Sequence, residues 1–382
     1  MKSNNNKICF VVSSVLTAKF FLRFHIEKLS ENYDVYLVGN FSDEDIKSIS
    51  YFKVKGIKSI PIERKINIIK DLKALKLLTS YYKEMQFDAI HSLAPKAGLI
   101  SSIAGKLAGI KNRVHIFTGQ VWHTKTGVFR ILLKNMDRII VLFNTHILVD
   151  SKAQQEYLIT NKIVSAKKSY VLGKGSISGV DLTRFKQNIK LKNNFRKELN
   201  ITENDVVFLF LGRINKDKGI YDLAKAFNRL LEKTNNVFLL IVGYDEDNHI
   251  ERISNIVNNP KKMHYYGSTD KPEDIMNAGD VFCLPSYREG FGTSVIEASA
   301  TKLAVICSNT YGLRDAIIEN KTGVRHQVGD ELDLFKQMKM LVNTTSLIKT
   351  YGGNGFEYVM NNFSADTISE HWLHFYDKII NK

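Results

Sequence analysis

The stretch that most constrains this chain is 279–300, which reads G-D-V-F-C-L-P-S-Y-R-E-G-F-G-T-S-V-I-E-A-S-A. An apolar run of strand type at 280–284 gives way to Pro285, Ser286 and Gly290, which punctuate a loop. From Gly292 onward Val295, Ile296, Ala298 and Ala300 share one side of a helix. A strand, a polar loop and a helix therefore meet. Such a junction leaves unpaired backbone N–H groups and the positive end of a helix dipole at the carboxyl edge of a sheet, which suits an anion. Phe291, Gly292 and Thr293 would supply those N–H groups. Glu289 and Glu297 frame the junction, roughly 12 Å apart if every residue between them were helical.

The rest of the chain repeats the strand-to-helix alternation. In the first half, strands are expected at 7–12, 34–39, 56–62, 88–92, 113–117, 145–150 and 169–172. Helices are expected at 18–30, 65–86 and 96–108. In the second half, strands at 205–211, 237–242, 262–266 and 304–307 alternate with helices at 220–231 and 250–257. A further helix is expected near 313–318 and another at 367–380. This pattern argues for parallel sheets with helices on both faces, open at the carboxyl ends of the strands. The segment 173–179, G-K-G-S-I-S-G, is the best linker. It divides the chain into an amino-terminal domain at 1–178, a carboxyl-terminal domain at 179–365 and a last helix at 366–382 expected to cross back to the first domain.

A second strand-to-helix loop, G-R-I-N-K-D-K-G at 212–219, would carry Arg213 and Lys218 to the strand ends, where cations suit a diphosphate. With the two framing carboxylates, this arrangement fits a ligand that has a hydroxyl-rich ring at each end and phosphates between. A nucleotide sugar has that shape. The plainer alternatives are solvated glutamates at a helix start and two surface cations.

Composition narrows the class. Hydrophobic residues make up 44% of the 382 and charged residues 24%, a globular balance. The three cysteines lie far apart in apolar runs without metal-ligand spacing, as expected of reduced, buried thiols in the cytoplasm. No apolar run is long enough to span a bilayer, and strand 7–12 follows the start too closely for a secretory leader. The formal charge of +15 is uneven: residues 1–180 hold 28 Lys and Arg against 13 Asp and Glu, and residues 181–382 hold 26 of each. The excess suggests an anionic partner for the first domain, such as a membrane surface, a lipid diphosphate or nucleic acid. Arg130, Lys134 and Arg138, four apart, would share one helical face, read either as a solvated basic side or as a membrane-facing stripe near Trp122 and Phe129.

The run E-G-F-G-T-S-V-I-E, with L-P-S before it and its last glutamate continuing as E-A, resembles the E-x7-E signature of the family-4 retaining glycosyltransferases of GT-B fold. The V-D-L-T-R-F segment at 180–185 resembles the start of their second domain. The resemblance implies an α/β fold of GT-B type, two Rossmann-like doubly wound parallel-sheet domains facing across a cleft. It implies transfer of a hexose or N-acetylhexosamine, with retention and without a metal or cofactor, from a nucleotide sugar, expected to be UDP-linked, to a polyprenyl-diphosphate-linked glycan. The setting would be bacterial surface-polysaccharide or glycoprotein glycan assembly at the cytoplasmic face of an anionic inner membrane, with no nucleic acid bound. By the same resemblance Arg213 and Lys218 contact the donor diphosphate, and Glu297 takes the ribose hydroxyls. Glu289 holds hydroxyls of the transferred sugar, and Gly212, Gly290, Phe291, Gly292 and Thr293 line the donor. The base is expected near Tyr266, Gly267 and Ser268. Ser13, His91, Lys96, His115, Thr118, Gln120 and His123 follow strands of the first domain and are the acceptor-side candidates. The family's H-x-H-x-P pattern is H-S-L-A-P here, with Leu93 in place of the second histidine, and its first-strand G-G is Ser13-Ser14. The alternatives are a sugar-nucleotide epimerase of the same architecture and a non-catalytic basic module binding nucleic acid or acidic lipid.

Overall fold

The computed structural model describes residues 5–63 and 67–381. It divides into two compact units, one running to Ser178 and taking up the terminal stretch from Ala365, the other Gly179–Ser364. The first unit contains β1 (Lys7–Val11), β2 (Asp34–Gly39), β3 (Gly56–Ser59), β4 (Ala89–Leu93), β5 (Asn112–Phe117), β6 (His146–Val149) and β7 (Ser169–Val171). They form one parallel sheet in the order β3-β2-β1-β4-β5-β6-β7. The second contains β8 (Val206–Leu211), β9 (Val237–Val242), β10 (Met263–Gly267), β11 (Val281–Leu284), β12 (Ala304–Ser308) and β13 (Gly323–His326), in the order β10-β9-β8-β11-β12-β13, again parallel. Both orders are doubly wound. Each reverses direction once, between β1 and β4 and between β8 and β11, and a crevice opens at the carboxyl ends of the strands where that happens.

Central strands of such sheets are covered on both faces and read as unbroken apolar runs. β9 is V-F-L-L-I-V with all six residues buried, and β11 is V-F-C-L, also wholly buried. The thiols of Cys9, Cys283 and Cys307 are free and buried in these cores.

Helix Ala365–Ile380 belongs to the first unit, where it lies against helix Arg23–Leu29. Its anchor is Trp372, sandwiched between two imidazoles, 4.1 Å from His25 at 7° and 4.7 Å from His91 at 16°. His25 Nε2 donates to the Ile177 carbonyl at 2.7 Å, which leaves Nδ1 to accept from Ser369 at 2.9 Å. His91 Nδ1 meets the Tyr376 hydroxyl at 2.8 Å, and Tyr33 donates to Asp377 at 2.6 Å. Burial holds both imidazoles neutral, lowering His25 to about 4.

The structure departs from the sequence expectations at several points. The 18–30 helix is two, Val15–Phe21 and Arg23–Leu29, joined at Leu22. The 313–318 segment is a series of turns rather than a helix, because the chain there packs against the 289–292 loop. Of the apolar row Ile66, Ile69, Leu72, Leu75 and Leu78 in the helix expected at 65–86, Leu78 is buried and Leu75 half-buried in helix Ile68–Met85, but Ile69 and Leu72 are exposed while Ala74 and Tyr82 are buried; Ile66 lies outside the described residues. Helices Asp43–Ser48, Lys152–Thr160 and Ile189–Glu198 are additional.

Removing the indole that both histidines stack on leaves a cavity the terminal helix cannot close. Trp372→Ala is expected to lower the stability of the first unit by about 3–5 kcal/mol, measured by denaturant unfolding.

Candidate active site

Two loops leave the switch point of the second sheet, one after β8 and one after β11, and each is shaped by local capping. In the first, the Asn215 side chain accepts from the Lys218 N–H at 3.2 Å and opens a short 3-10 turn, Lys216–Lys218. Gly219 closes that turn with φ 69° in the left-handed region. A Cβ on Gly219 would lie 2.0 Å from the Pro285 carbonyl oxygen, so only glycine lets this loop touch the one after β11. In the second loop Gly292, φ 76°, starts helix Thr293–Ala300 with no side-chain cap. The first N–H groups of that helix therefore have no side-chain partner, which is the arrangement that receives an anion.

Backbone contact brings the functional side chains together. Lys218 Nζ lies 2.5 Å from Glu289 Oε1, with side chains 19% and 12% exposed, and the Ser286 hydroxyl donates to the same oxygen at 2.7 Å. Gly312 supports this pair from behind: a Cβ there would meet the Glu289 carbonyl oxygen at 2.1 Å and that of Gly290 at 2.8 Å. Glu297 is half-buried on the same helix. Burial raises its carboxyl to about 7; Arg184 opposes the shift and Glu273 adds to it. Arg184 is gripped by Glu273 through two bonds, 3.0 and 2.7 Å.

Arg213 projects from the first loop, its side chain 59% exposed, and Nη1 donates to Glu246 at 2.6 Å. Gly212 continues the ladder by donating to the Val242 carbonyl at 3.0 Å, and Gly267, φ 85°, accepts from Gly243 at 2.9 Å. Tyr266 is part-exposed at the end of β10, edge-on to Phe195, and Ser268 is exposed beside it. Phe291 is buried against Phe363 at 5.2 Å, while Gly290 and Thr293 are half-buried. The donor-side candidates thus gather at the carboxyl edge of one sheet. Sequence reasoning missed Ser286, Glu246, Arg184 and Gly312. The acid after β9 and the hydroxyl three residues before Glu289 were visible signals, whereas the long-range approach of Gly312 was not.

The first-unit candidates do not gather in the same way. His91 is wholly buried beneath Trp372 and bonded to Tyr376, so its ring is committed to the core that holds the terminal helix. His115 is also wholly buried, with Nδ1 on Ser92 at 3.0 Å, and Gln120 is buried. Lys96 pairs with Asp71 at 2.7 Å, His123 Nδ1 meets the Tyr157 hydroxyl at 2.7 Å, Ser13 is buried and Thr118 is half-buried after β5.

The basic stripe of helix Gly127–Phe143 also differs from expectation. Arg130 and Lys134 lie over the Trp122 ring at 5.8 and 4.9 Å, and Lys134 also donates to Asn161 at 3.1 Å. Arg138 donates to the Lys162 carbonyl at 3.3 Å and to Asn135 at 2.7 Å. Their long stems fold back onto the body of the unit. The outward face is apolar instead, with Val128, Phe129, Ile131, Leu132 and Leu142 exposed. Among the described residues no helix is long and apolar enough to cross a membrane.

A pair of doubly wound parallel sheets, one with cations and carboxylates at its switch point, is the architecture of a GT-B glycosyltransferase. The comparisons carry this to a family. A model described as glycosyl transferases group 1 matches residues 192–356. The chain is 33% identical over 355 residues to the capsular polysaccharide biosynthesis glycosyltransferase CapM of Staphylococcus aureus, covering 91% of each. It is 26% identical over 329 residues to the UDP-Gal:alpha-D-GlcNAc-diphosphoundecaprenol alpha-1,3-galactosyltransferase of Escherichia coli, covering 84% of this chain and 83% of that one. Among solved structures, Anabaena HepE in complex with UDP superposes with a TM-score of 0.80 at 16% identity, covering 97% of this chain and 100% of that one. The chain belongs to the group 1 glycosyl transferases.

Gly312→Ala should push the 289–290 backbone away from Lys218. We expect a stability loss of about 1–3 kcal/mol by denaturant melt and a fall in turnover on the order of a hundredfold.

Proposed function

We propose that this glycosyltransferase moves a hexose or N-acetylhexosamine, with retention, from a UDP-sugar to a polyprenyl-diphosphate-linked glycan during surface-polysaccharide assembly. The observation that carries the donor half is the Lys218–Glu289 pair beside the uncapped start of helix Thr293–Ala300. The N–H groups of Phe291, Gly292 and Thr293 and the cations of Arg213 and Lys218 receive the diphosphate. Glu289 accepts hydroxyls of the transferred sugar, Glu297 those of the ribose, and the ends of β9 and β10 with Tyr266, Gly267 and Ser268 hold the base. The bond between the sugar's anomeric carbon and the phosphate oxygen breaks, and the acceptor oxygen bonds to the same face of that carbon. Its proton passes to the departing phosphate, leaving UDP. Fixed cations stabilise that leaving group without a metal. UDP and a diphospholipid glycan are what the HepE structure and the E. coli relative, respectively, name.

In this reading Ser13, Lys96, Thr118 and His123 belong to the acceptor side, and the first unit docks on the cytoplasmic face of an anionic membrane. Its excess of cations supports this, as does the exposed apolar face of helix Gly127–Phe143. Arg130, Lys134 and Arg138 then flank the inserting face rather than form it.

Two measurements test the proposal. Glu297 accepts from both ribose hydroxyls most strongly when ionised, because a neutral carboxyl carries a proton on one oxygen and makes weaker hydrogen bonds with the other, and its raised value means that the neutral form dominates below about pH 7. UDP affinity, by calorimetry, should therefore rise from pH 6 to pH 8 more steeply in the wild type than in Glu297→Gln; an absence of UDP binding at any pH would sink the donor assignment. Leu132→Ser with Leu142→Ser should lower activity on vesicle-embedded lipid acceptor by about tenfold or more, with a soluble acceptor analogue unaffected. Equal losses on both acceptors would remove the membrane face.

A further inference from the structure

The loop after β9 carries two adjacent acids with different tasks. Asp245 is committed to helix His249–Ser254, accepting from the His249 and Ile250 N–H groups at 2.8 and 3.0 Å. Glu246 turns the other way. The backbone pins it beside the first donor loop, because Ile214 donates to the Tyr244 carbonyl at 2.8 Å and Glu246 donates back to Ile214 at 3.3 Å. From there one carboxylate oxygen accepts from Arg213 Nη1 at 2.6 Å and the other from Asn215 Nδ2 at 2.7 Å. Asn215 is the residue that opens the turn presenting Lys218. One carboxylate therefore spans Arg213 and the base of the Lys218 turn, while Glu289 takes Lys218 itself. Without a ligand, each of the two cations at the candidate donor site already faces an acid.

We infer that Glu246 is the resident counter-anion of Arg213, which the donor diphosphate must displace or share, and that it thereby limits donor and UDP affinity. The inference rests on the donor reading above. Glu246 is ionised at neutral pH, since the Asn215 amide and the Arg213 guanidinium hold its carboxyl below the usual range. A carboxylate at 2.6 Å from the guanidinium cancels much of the field a phosphate would feel there, and it repels the phosphate as it arrives. The benefit is a loop already assembled when empty and a product that leaves readily. Glu246 is thus a positioning residue that acts through Arg213.

The test is UDP affinity of the full chain by calorimetry, with the donor KM measured alongside. Glu246→Gln keeps the length and an acceptor for Asn215 but removes the charge. It is expected to tighten UDP about three- to fivefold and to lower KM for the donor in step. Glu246→Asp, which keeps the charge, should not tighten it. Arg213→Ala alone should weaken UDP, and in that background Glu246→Gln should change affinity by less than about twofold. A merely structural role would weaken UDP in both Glu246 variants. Unchanged or weaker binding by Glu246→Gln overturns the inference, as does a gain that persists in full without Arg213. If Arg213→Ala leaves UDP affinity unchanged, the donor reading itself fails, a result distinct from failure at Glu246 alone.

Discussion

The site depends on two places where backbone meets backbone without room for a side chain: Gly219 on the Pro285 carbonyl and Gly312 on the Glu289 carbonyl. These contacts join the loop after β8 to the loop after β11, and the loop after β11 to the turns after β12. Adjacent parallel strands supply the rigid base, with Val281 in register with Phe208 and Phe282 with Leu209. Lys218 and Glu289, 71 residues apart in sequence, meet at 2.5 Å because the loops have no freedom to part. Two charges so little exposed would be costly singly, since an unpaired buried charge loses its hydration without compensation. Paired, and with Ser286 donating to the same carboxylate, they are stable before any ligand arrives.

Glu297 differs from Glu289 in what surrounds it. Glu289 has a lysine and a hydroxyl in direct contact; Glu297 has neither, and Arg184, the cation that acts on it, is already gripped by Glu273. Desolvation therefore dominates and raises its carboxyl. In the proposed reading a ribose edge supplies the missing polar partners, just as a phosphate supplies the missing partners of an uncapped helix start. Both features are small local deficits that a ligand of the right chemistry removes.

Much of the second half of the fold was legible because β8, β9, β11 and β12 are apolar runs, whereas β13, G-V-R-H, has no such run and was not anticipated. Helix Ile220–Leu231 and strand β9 fall where the pattern put them. The donor loops were legible through glycine, proline and charge at strand ends. What pattern could not supply was contact between distant segments. The 311–316 turns have the composition of a helix but are held by the 289–292 loop, and helix Ile68–Met85 presents isoleucines outward because its small Ala74 faces the sheet. Arg130 and Lys134 read as an outward stripe until Trp122 is seen beneath them. His91 reads as a candidate on the acceptor side, yet it lies in the middle of β4 and Trp372, 281 positions later, claims it.

The two units use charge on different length scales. The first, with its terminal helix, holds 30 Lys and Arg against 16 Asp and Glu, so a net field extends beyond it to about the Debye length of 8–10 Å. The second holds 24 against 23, and its cations are met locally: Arg184 by Glu273, Lys192 and Arg196 by Asp280, Lys262 by Asp205, Arg325 by Glu319. A unit without net field cannot gather anions from a distance, so in the proposed reading selectivity at its switch point comes from the placement of Arg213, Lys218 and the open N–H groups. A unit with a net field can approach any anionic surface, and in the proposed reading selectivity there comes from shape, through the exposed apolar face of helix Gly127–Phe143. In the proposed reading the division matches what each unit meets: a small soluble anion that must be oriented atom by atom, and an extended surface on which the protein has only to stay.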